Sequence, residues 1–429
     1  MKLKKTFSFI IFAFIFFGIL VYNLDDIRSS LRKNLSHNTK IKIKKIFFGS
    51  EFVDEVFKLK TYNYNQKILP RTLFEKISFD KKLLENLNSF SDTHYAKVNN
   101  IKIKQKKFFL ENLHNSNILY ISHEGKISIL DLEKFKTKEV NSNLDKFSIF
   151  SILDIELIRD KIYISFSYFD KNKNDCTYFS LAEARLVNNF LNFKTFFKTN
   201  KCLKNTLGGR IVDFNFKGKN GILITLGAAD EEKDFAQDDN SFYGKTVFFD
   251  EKKKIPVIFS KGHRNPQGLV NIEGNILLTE HGPFGGDEIN KISYGNNYGF
   301  PIVSLGETYE FDKEFDNLNK KFFFKKKHKA NGFAEPIFSF IEGIGISEII
   351  KIPNDFSDFW MDDFFVSSLN ARSLYRVNFD NKYQKVNFIE KIYIGERIRD
   401  IIYIAEKNIF LLALEETGSI GILKNIKSK

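Results

Sequence analysis

The chain has 429 residues, of which 43% are hydrophobic and 28% charged, with 7 prolines and 24 glycines. This composition excludes a mostly disordered chain and a collagen-like or linker-rich one. Lys+Arg 66 against Asp+Glu 53 leaves a formal charge of +13, but the lysines are spread through every segment, which reads as solubilising surface rather than a nucleic-acid or lipid patch.

Met1-Lys2-Leu3-Lys4-Lys5 precedes an uncharged apolar run from Thr6 to Tyr22. As a helix that run is about 25 Å long, at the lower limit for crossing a bilayer, and the basic flank keeps the N-terminus cytoplasmic. Residues 1–22 therefore read first as an uncleaved signal-anchor in the inner membrane, with the remainder in the periplasm. A cleaved export signal and a buried core helix are the alternatives. Gly18 to Asn23 lacks the small residues of a cleavage site. Residues 23–94 are polar and Lys/Asn-rich and read as a membrane-proximal extension. It is expected to hold a helix over Asp25–Leu35, a strand over Lys40–Phe48 and a helix near Lys81–Leu87.

From residue 95 onward short apolar runs alternate with polar turns. They include Ile118–Ser122, Ile127–Leu132, Ile152–Leu157, Lys161–Tyr168, Arg210–Phe216, Gly221–Leu226, Lys245–Asp250 and Asn275–Glu280, and they resume after an insert with Pro336–Phe340, Ser347–Ile352, Ile398–Ile404 and Ser419–Leu423. No long amphipathic helix interrupts them, which argues for an all-β sandwich or propeller. Roughly 330 residues exceed one sandwich and suit six four-stranded blades of about 50 residues each. Thr177–Leu186 and Phe193–Thr199 read as a hairpin centred near residue 189, which sets Cys176 opposite Cys202. An exported compartment permits a disulfide there; two unpaired buried thiols are the alternative. The long segment 306–334, with its aromatic and basic run Phe322–Lys329, reads as a solvated insertion, and no nucleic-acid partner is expected.

One region carries far more specific signals. Gly262-His263-Arg264-Asn265-Pro266-Gln267-Gly268-Leu269 places a cation and two amides on one short loop. The guanidinium donates in a planar fork and the amides donate and accept, which suits an anionic, carbonyl-bearing ligand. Glu280-His281-Gly282-Pro283-Phe284-Gly285-Gly286-Asp287-Glu288-Ile289-Asn290 follows, with backbone carbonyls at a Gly-Pro step and two adjacent carboxylates, oxygen donors of the kind Ca²⁺ takes. Gly295-Asn296-Asn297-Tyr298-Gly299-Phe300-Pro301 completes the stretch.

These motifs resemble those of the glucose/sorbosone dehydrogenase family, soluble quinoprotein sugar dehydrogenases that use pyrroloquinoline quinone (PQQ) and Ca²⁺ on a six-bladed β-propeller. The resemblance is strongest over 262–301, with Phe300 where Trp is usual, and extends more weakly over about 115–425. It implies that residues 95–429 form such a propeller. It places Arg264, Asn265 and Gln267 against the quinone and substrate, and the carbonyls of Gly282 and Pro283 on a catalytic Ca²⁺. Glu288 and Tyr298 match a second, structural Ca²⁺ site. Glu396-Arg397-Ile398-Arg399-Asp400 resembles the family's R-x-R-D, so Arg397 and Arg399 would pair with PQQ carboxylates.

The chain departs from the pattern where chemistry is expected. In Thr206-Leu207-Gly208-Gly209-Arg210 the family's general-base His is Thr206, whose hydroxyl is no useful base near neutral pH. The family's cofactor-binding Lys is Asn370, an Asp is Ala228, and a Gln is Ile149. His263 and His281 stand as alternative bases or as structural histidines; His37, His94, His114, His123 and His328 read as surface residues. The resemblance implies a PQQ-dependent oxidation of an aldose or related sugar, with electrons passed to a membrane acceptor. The alternative is a catalytically impaired relative that binds carbohydrate or protein.

Overall fold

The computed structural model describes residues 68–69, 77–83, 94–98, 101–169, 176–307, 324–357 and 359–425. Residues 6–22, Asp25–Leu35 and Lys40–Phe48, for which an anchor, a helix and a strand are expected, lie outside them. Among the described residues no helix is long and apolar enough to cross a membrane.

The apolar runs hydrogen-bond into six sheets, each with four antiparallel strands that make one blade of a six-bladed β-propeller. Blade 1 opens with Phe108–Asn112, blade 2 with Ile149–Ile158, blade 3 with Gly208–Phe216, blade 4 with Pro266–Ile272, blade 5 with Ile346–Lys351 and blade 6 with Ile398–Ile404. These opening strands are the inner ones. Each packs against the inner strands of the two neighbouring blades, and the sixth returns to the first. Middle strands such as Ile409–Leu414 are buried along their whole length, because both faces meet a neighbouring blade. Outer strands such as Lys136–Ser142 are mostly polar and exposed.

The core lies in the wedges between blades. Leu411, Ala413 and Ile420 of blade 6 pack on Phe108, Leu110, Ile118 and Tyr120 of blade 1. Each such side chain contributes about 1.5–3 kcal/mol by leaving water. Much of the phenylalanine is used here, in edge-to-face contacts: Phe214 meets Phe259 at 5.4 Å and Phe248 at 6.0 Å in the wedge between blades 3 and 4.

Blade 6 is completed by Ile77–Leu83, which pairs antiparallel with Ser419–Asn425, Ile77 opposite Asn425 and Leu83 opposite Ser419. This strand comes from the segment expected to be a membrane-proximal extension. It replaces the start of the helix expected near Lys81–Leu87. Its sequence, ISFDKKL, alternates as a strand does, and residues 79–82 are exposed, as suits an edge.

In blade 2, Thr177–Ala184 pairs with Lys194–Lys198, Ser180 opposite Lys198. The short hairpin between them, Leu186–Val187 with Phe190–Leu191, pairs onto the outer strand of blade 1 and turns at Asn188 and Asn189, both with positive φ, a conformation Asn tolerates. Carried outward, this register brings Cys176 and Cys202 to a Cα–Cα distance of 5.5 Å, and they are joined in a disulfide. The bond closes a loop of sequence separation 26. Replacing both cysteines by serine is expected to lower unfolding free energy by about 3 kcal/mol through loop-closure entropy. A urea titration of the variant beside the oxidised parent measures it.

Candidate active site at the channel mouth

The inner strands all begin at one end of the propeller axis, and the motif residues lie at those beginnings. The site rests on Arg210 of blade 3, which is buried on the axis. Its Nη1 lies 2.9 Å from Asp154 Oδ1 of blade 2, 2.8 Å from Glu348 Oε2 of blade 5 and 3.4 Å from Asp400 Oδ1 of blade 6. Its Nε donates to the carbonyl of Gln267 at 2.6 Å, its Nη2 to the carbonyl of Arg399 at 3.1 Å, and its guanidinium lies 5.1 Å from the ring of Phe109 in blade 1. Asp154 also accepts from the N–H of Ile211, and Asp400 from that of Leu110. One side chain thus touches the inner strands of the five other blades. Gly209 beside it has φ +107, and a Cβ there would collide with the Leu153 side chain.

Above this hub runs a continuous polar chain. His281 Nδ1 lies 3.4 Å from Asn265 Nδ2, Gln267 Nε2 donates to Asn265 Oδ1 at 2.7 Å, and Arg399 Nη1 donates to Gln267 Oε1 at 3.0 Å. Arg399 Nε and Arg397 Nε then each donate to one oxygen of Glu415, at 2.8 and 2.7 Å. The structure therefore brings Asn265, Gln267, Arg397 and Arg399 together. The Gln267–Asn265 bond fixes the Asn265 amide so that its NH₂ faces His281 Nδ1. The imidazole proton then sits on Nε2, which is buried and faces the backbone of Ile346. Burial is the main cause that lowers the His281 pKa, with Arg264 and Arg399 adding to it, so the ring is neutral and presents an N–H.

Arg264 lies beside this chain, its backbone N–H held by Glu280 Oε2 at 2.9 Å. Its Nη1 donates to the carbonyl of Gly282 at 2.9 Å and to that of His281 at 3.3 Å. Asp287 pins the Gly-Pro loop, accepting from the N–H groups of Gly282, Ile344 and Ile346. Pro283 and Tyr298 line the small cavity behind it. His263 is fully buried, stacked on Tyr298 at 4.9 Å and bonded to Ser260 Oγ at 2.8 Å, a structural setting. His123 and His328 are buried rather than on the surface.

Thr206 is not part of the polar chain. Its Oγ1 lies 3.0 Å from Thr177 Oγ1, so the hydroxyl turns toward blade 2. Ala228 is fully buried in the wedge between blades 2 and 3, Ile149 packs in the wedge of blades 1 and 2, and Asn370 is exposed at a turn.

Calcium does not fit the donors as they stand. The Gly282 carbonyl is taken by the Arg264 guanidinium. Tyr298 spends its hydroxyl on the carbonyl of Lys291 at 2.6 Å. Among the described residues no three carboxylate, imidazole or thiolate groups converge to hold a metal. The donor chemistry suits a carboxylate-rich ligand. Two arginines share the single carboxylate of Glu415, so the positive charge there exceeds the negative.

Residues 105–423 match the sequence profile of the glucose/sorbosone dehydrogenase family. The chain belongs to that family. Aldose sugar dehydrogenase YliI of Escherichia coli is 30% identical over 247 residues, 53% of this chain and 63% of that protein. Quinoprotein glucose dehydrogenase B of Acinetobacter calcoaceticus is 52% identical over 48 residues, 11% of this chain and 10% of that protein. The chain thus spans less than two thirds of these curated relatives. The apo crystal structure of the soluble aldose sugar dehydrogenase from Escherichia coli superposes with a TM-score of 0.64 at 22% identity, over 82% of this chain and 100% of that one. The PQQ-bound aldose sugar dehydrogenase of Streptomyces coelicolor superposes at 0.58 and 17% identity, over 83% and 100%. Both likenesses speak for the six-bladed fold.

Burial at the propeller axis also sets a pH dependence. It pushes Glu111 and Glu348 up to about 8 and Asp154 to about 7. Neighbouring carboxylates add to the rise, while Arg210 opposes it at Glu348 and Asp154. Acids raised above their unfolded values hold extra protons in the native state, so their contribution is complete below about pH 4 and is lost as pH rises through 7–8. Lys107 and His328 are lowered and act in the opposite direction, but they are outnumbered. Stability is expected to fall between pH 6 and 8, read as a falling urea midpoint; a rising midpoint contradicts it.

Proposed function

We propose that this protein is a PQQ-dependent oxidoreductase of the sugar dehydrogenase type. It oxidises an aldose or related sugar at a CH–OH group and passes electrons to a membrane acceptor. The observation that carries this reading is the polar chain from His281 through Asn265, Gln267, Arg399 and Glu415 to Arg397 at the channel mouth. The family membership and the aldose sugar dehydrogenases it resembles support it.

The bound quinone supplies hydride acceptance, the chemistry no side chain can provide. Arg397 and Arg399 hold its carboxylates by charge-assisted hydrogen bonds, with Glu415 fixing both guanidinium groups in register. Gln267 and Asn265 fix the tautomer of the neutral His281. The buried hub under Gln267 and Arg399 keeps these donors from relaxing. The apolar run 6–22 supports an inner-membrane anchor with the propeller on the periplasmic side, within reach of a membrane acceptor.

A second reading, a propeller that binds carbohydrate or protein without turnover, draws on the hydroxyl at 206 facing Thr177. Titrating the full-length protein in detergent with PQQ, then adding aldoses and a redox dye, separates the two. Saturable quinone binding with aldose-dependent dye reduction supports the dehydrogenase. Binding without turnover supports the second reading, and the absence of PQQ binding overturns the first.

A further inference from the structure

Arg397 and Arg399 are not the only cations over the hub. Lys107 immediately precedes the inner strand of blade 1, Phe108–Asn112. The residue is half-buried, and its neighbour Lys106 places it beside Glu415, donating its backbone N–H to the Glu415 carbonyl at 2.6 Å. The contacts of the Lys107 ammonium are weak for a half-buried cation: Ser151 Oγ at 3.4 Å and the ring of Phe109 at 5.3 Å. No carboxylate lies within ion-pair distance of it among the described residues. The charges that face it are Arg399 and Glu415 from blade 6, Arg210 from blade 3 and Asp154 from blade 2. Asp154 is committed to Arg210 and the N–H of Ile211. Both oxygens of Glu415 are taken by Arg397 and Arg399. Three cationic side chains therefore stand over a single carboxylate that two of them consume.

We propose that Lys107 is a third anchor for the carboxylates of the ligand that Arg397 and Arg399 hold. The inference rests on the reading above that this ligand is a polycarboxylate. It adds to that reading a residue of blade 1 that no motif marks, and it offsets the charge missing at Asn370, which lies exposed on blade 5. A buried cation next to a second cation is stabilised only when an anion arrives.

The protonation state gives a signature that a merely structural lysine lacks. Burial, and then Arg399, hold Lys107 at about 7 in the free protein. A carboxylate at its ammonium raises that value. Above pH 7 the ligand therefore binds with uptake of a proton, and affinity falls as pH rises. Once the ligand is seated the ammonium keeps its proton, so Lys107 binds and does not act as a base.

The test is calorimetry on the full-length protein at pH 8, in two buffers of different ionisation enthalpy. The two probes are PQQ and pyridine-2,4,6-tricarboxylate, which has the carboxylates without the quinone. The parent is expected to take up about one proton per ligand. K107Q should take up none and bind about tenfold more weakly, the scale of one charge-assisted hydrogen bond. K107R should recover the affinity without the proton uptake. An unchanged melting temperature for K107Q shows that it folds. If K107Q keeps both the affinity and the uptake of the parent, the assignment of Lys107 is overturned. If the tricarboxylate behaves as expected and PQQ does not bind, Lys107 stands and the cofactor reading falls. If neither probe binds the parent, both fall.

Discussion

Replacing Arg210 by methionine is expected to cost about 3–5 kcal/mol of unfolding free energy, the range for removing one partner from a buried ion cluster. The guanidinium faces Asp154, Glu348 and Asp400 at once, and no other cation lies within ion-pair distance of those three among the described residues. Methionine has a similar length and suits the Phe109 ring, so a packing defect is a minor part of the loss. The stranded carboxylates respond by taking up protons. The cost is therefore expected to be smaller at pH 6 than at pH 8, so the pH dependence of the variant should be steeper than that of the parent. Urea titrations of both proteins at the two pH values read this directly. A loss below about 1 kcal/mol at pH 8 would mean that the cluster is held by the strands alone. The same variant removes the donors that fix the carbonyls of Gln267 and Arg399. It should also weaken PQQ binding by more than its distance from the ligand would indicate.

Thr206→His is expected to raise PQQ-dependent aldose oxidation on the order of 10²-fold, the lower end of what a positioned base contributes. Thr206 sits in the T-L-G-G-R stretch that leads into the inner strand of blade 3, where the family pattern has histidine. Its hydroxyl now turns to Thr177. On the proposed function, a histidine at this position would supply a group able to take a hydroxyl proton near neutral pH. The rate profile should gain an ionisation below the ordinary imidazole value, because position 206 is buried. Dye reduction against pH, at saturating PQQ, measures both. If the rate does not move and no new ionisation appears, position 206 is not where a base can act in this chain, and the reading as a binding propeller gains.

Much of the fold was legible because blade strands follow simple rules. Lys245–Asp250, Asn275–Glu280 and Ile398–Ile404 stand in the structure with the bounds that apolar runs and turn residues indicate. The strands that escaped include the apolar Phe108–Asn112, which opens blade 1, and two others whose reasons are plain. Lys136–Ser142 is a polar outer strand whose pattern looks like loop. Ile77–Leu83 pairs with a partner at the far end of the chain, which no local pattern reveals. The site divides in the same way. Arg264, Asn265, Gln267, Arg397 and Arg399 sit in motifs and could be singled out. Glu415, Lys107 and Glu348 belong to no motif, and they join the site only because six inner strands begin around one axis. His281 was left open between base and structural residue; its neighbours Asn265 and Gln267 settle the tautomer, which spacing alone cannot.

Blade 6 is built from both extremes of the propeller sequence, so Ile77 and Asn425 lie side by side. The ring is a clasp: it is shut by a seam of hydrogen bonds and not by a peptide link. A circularly permuted chain, with Asn425 joined to Ile77 through a short linker and new ends between Leu83 and Phe108, would make blade 6 contiguous and leave the channel mouth untouched. Retention of the native melting temperature in that rearranged chain would show that the propeller is indifferent to where its seam falls.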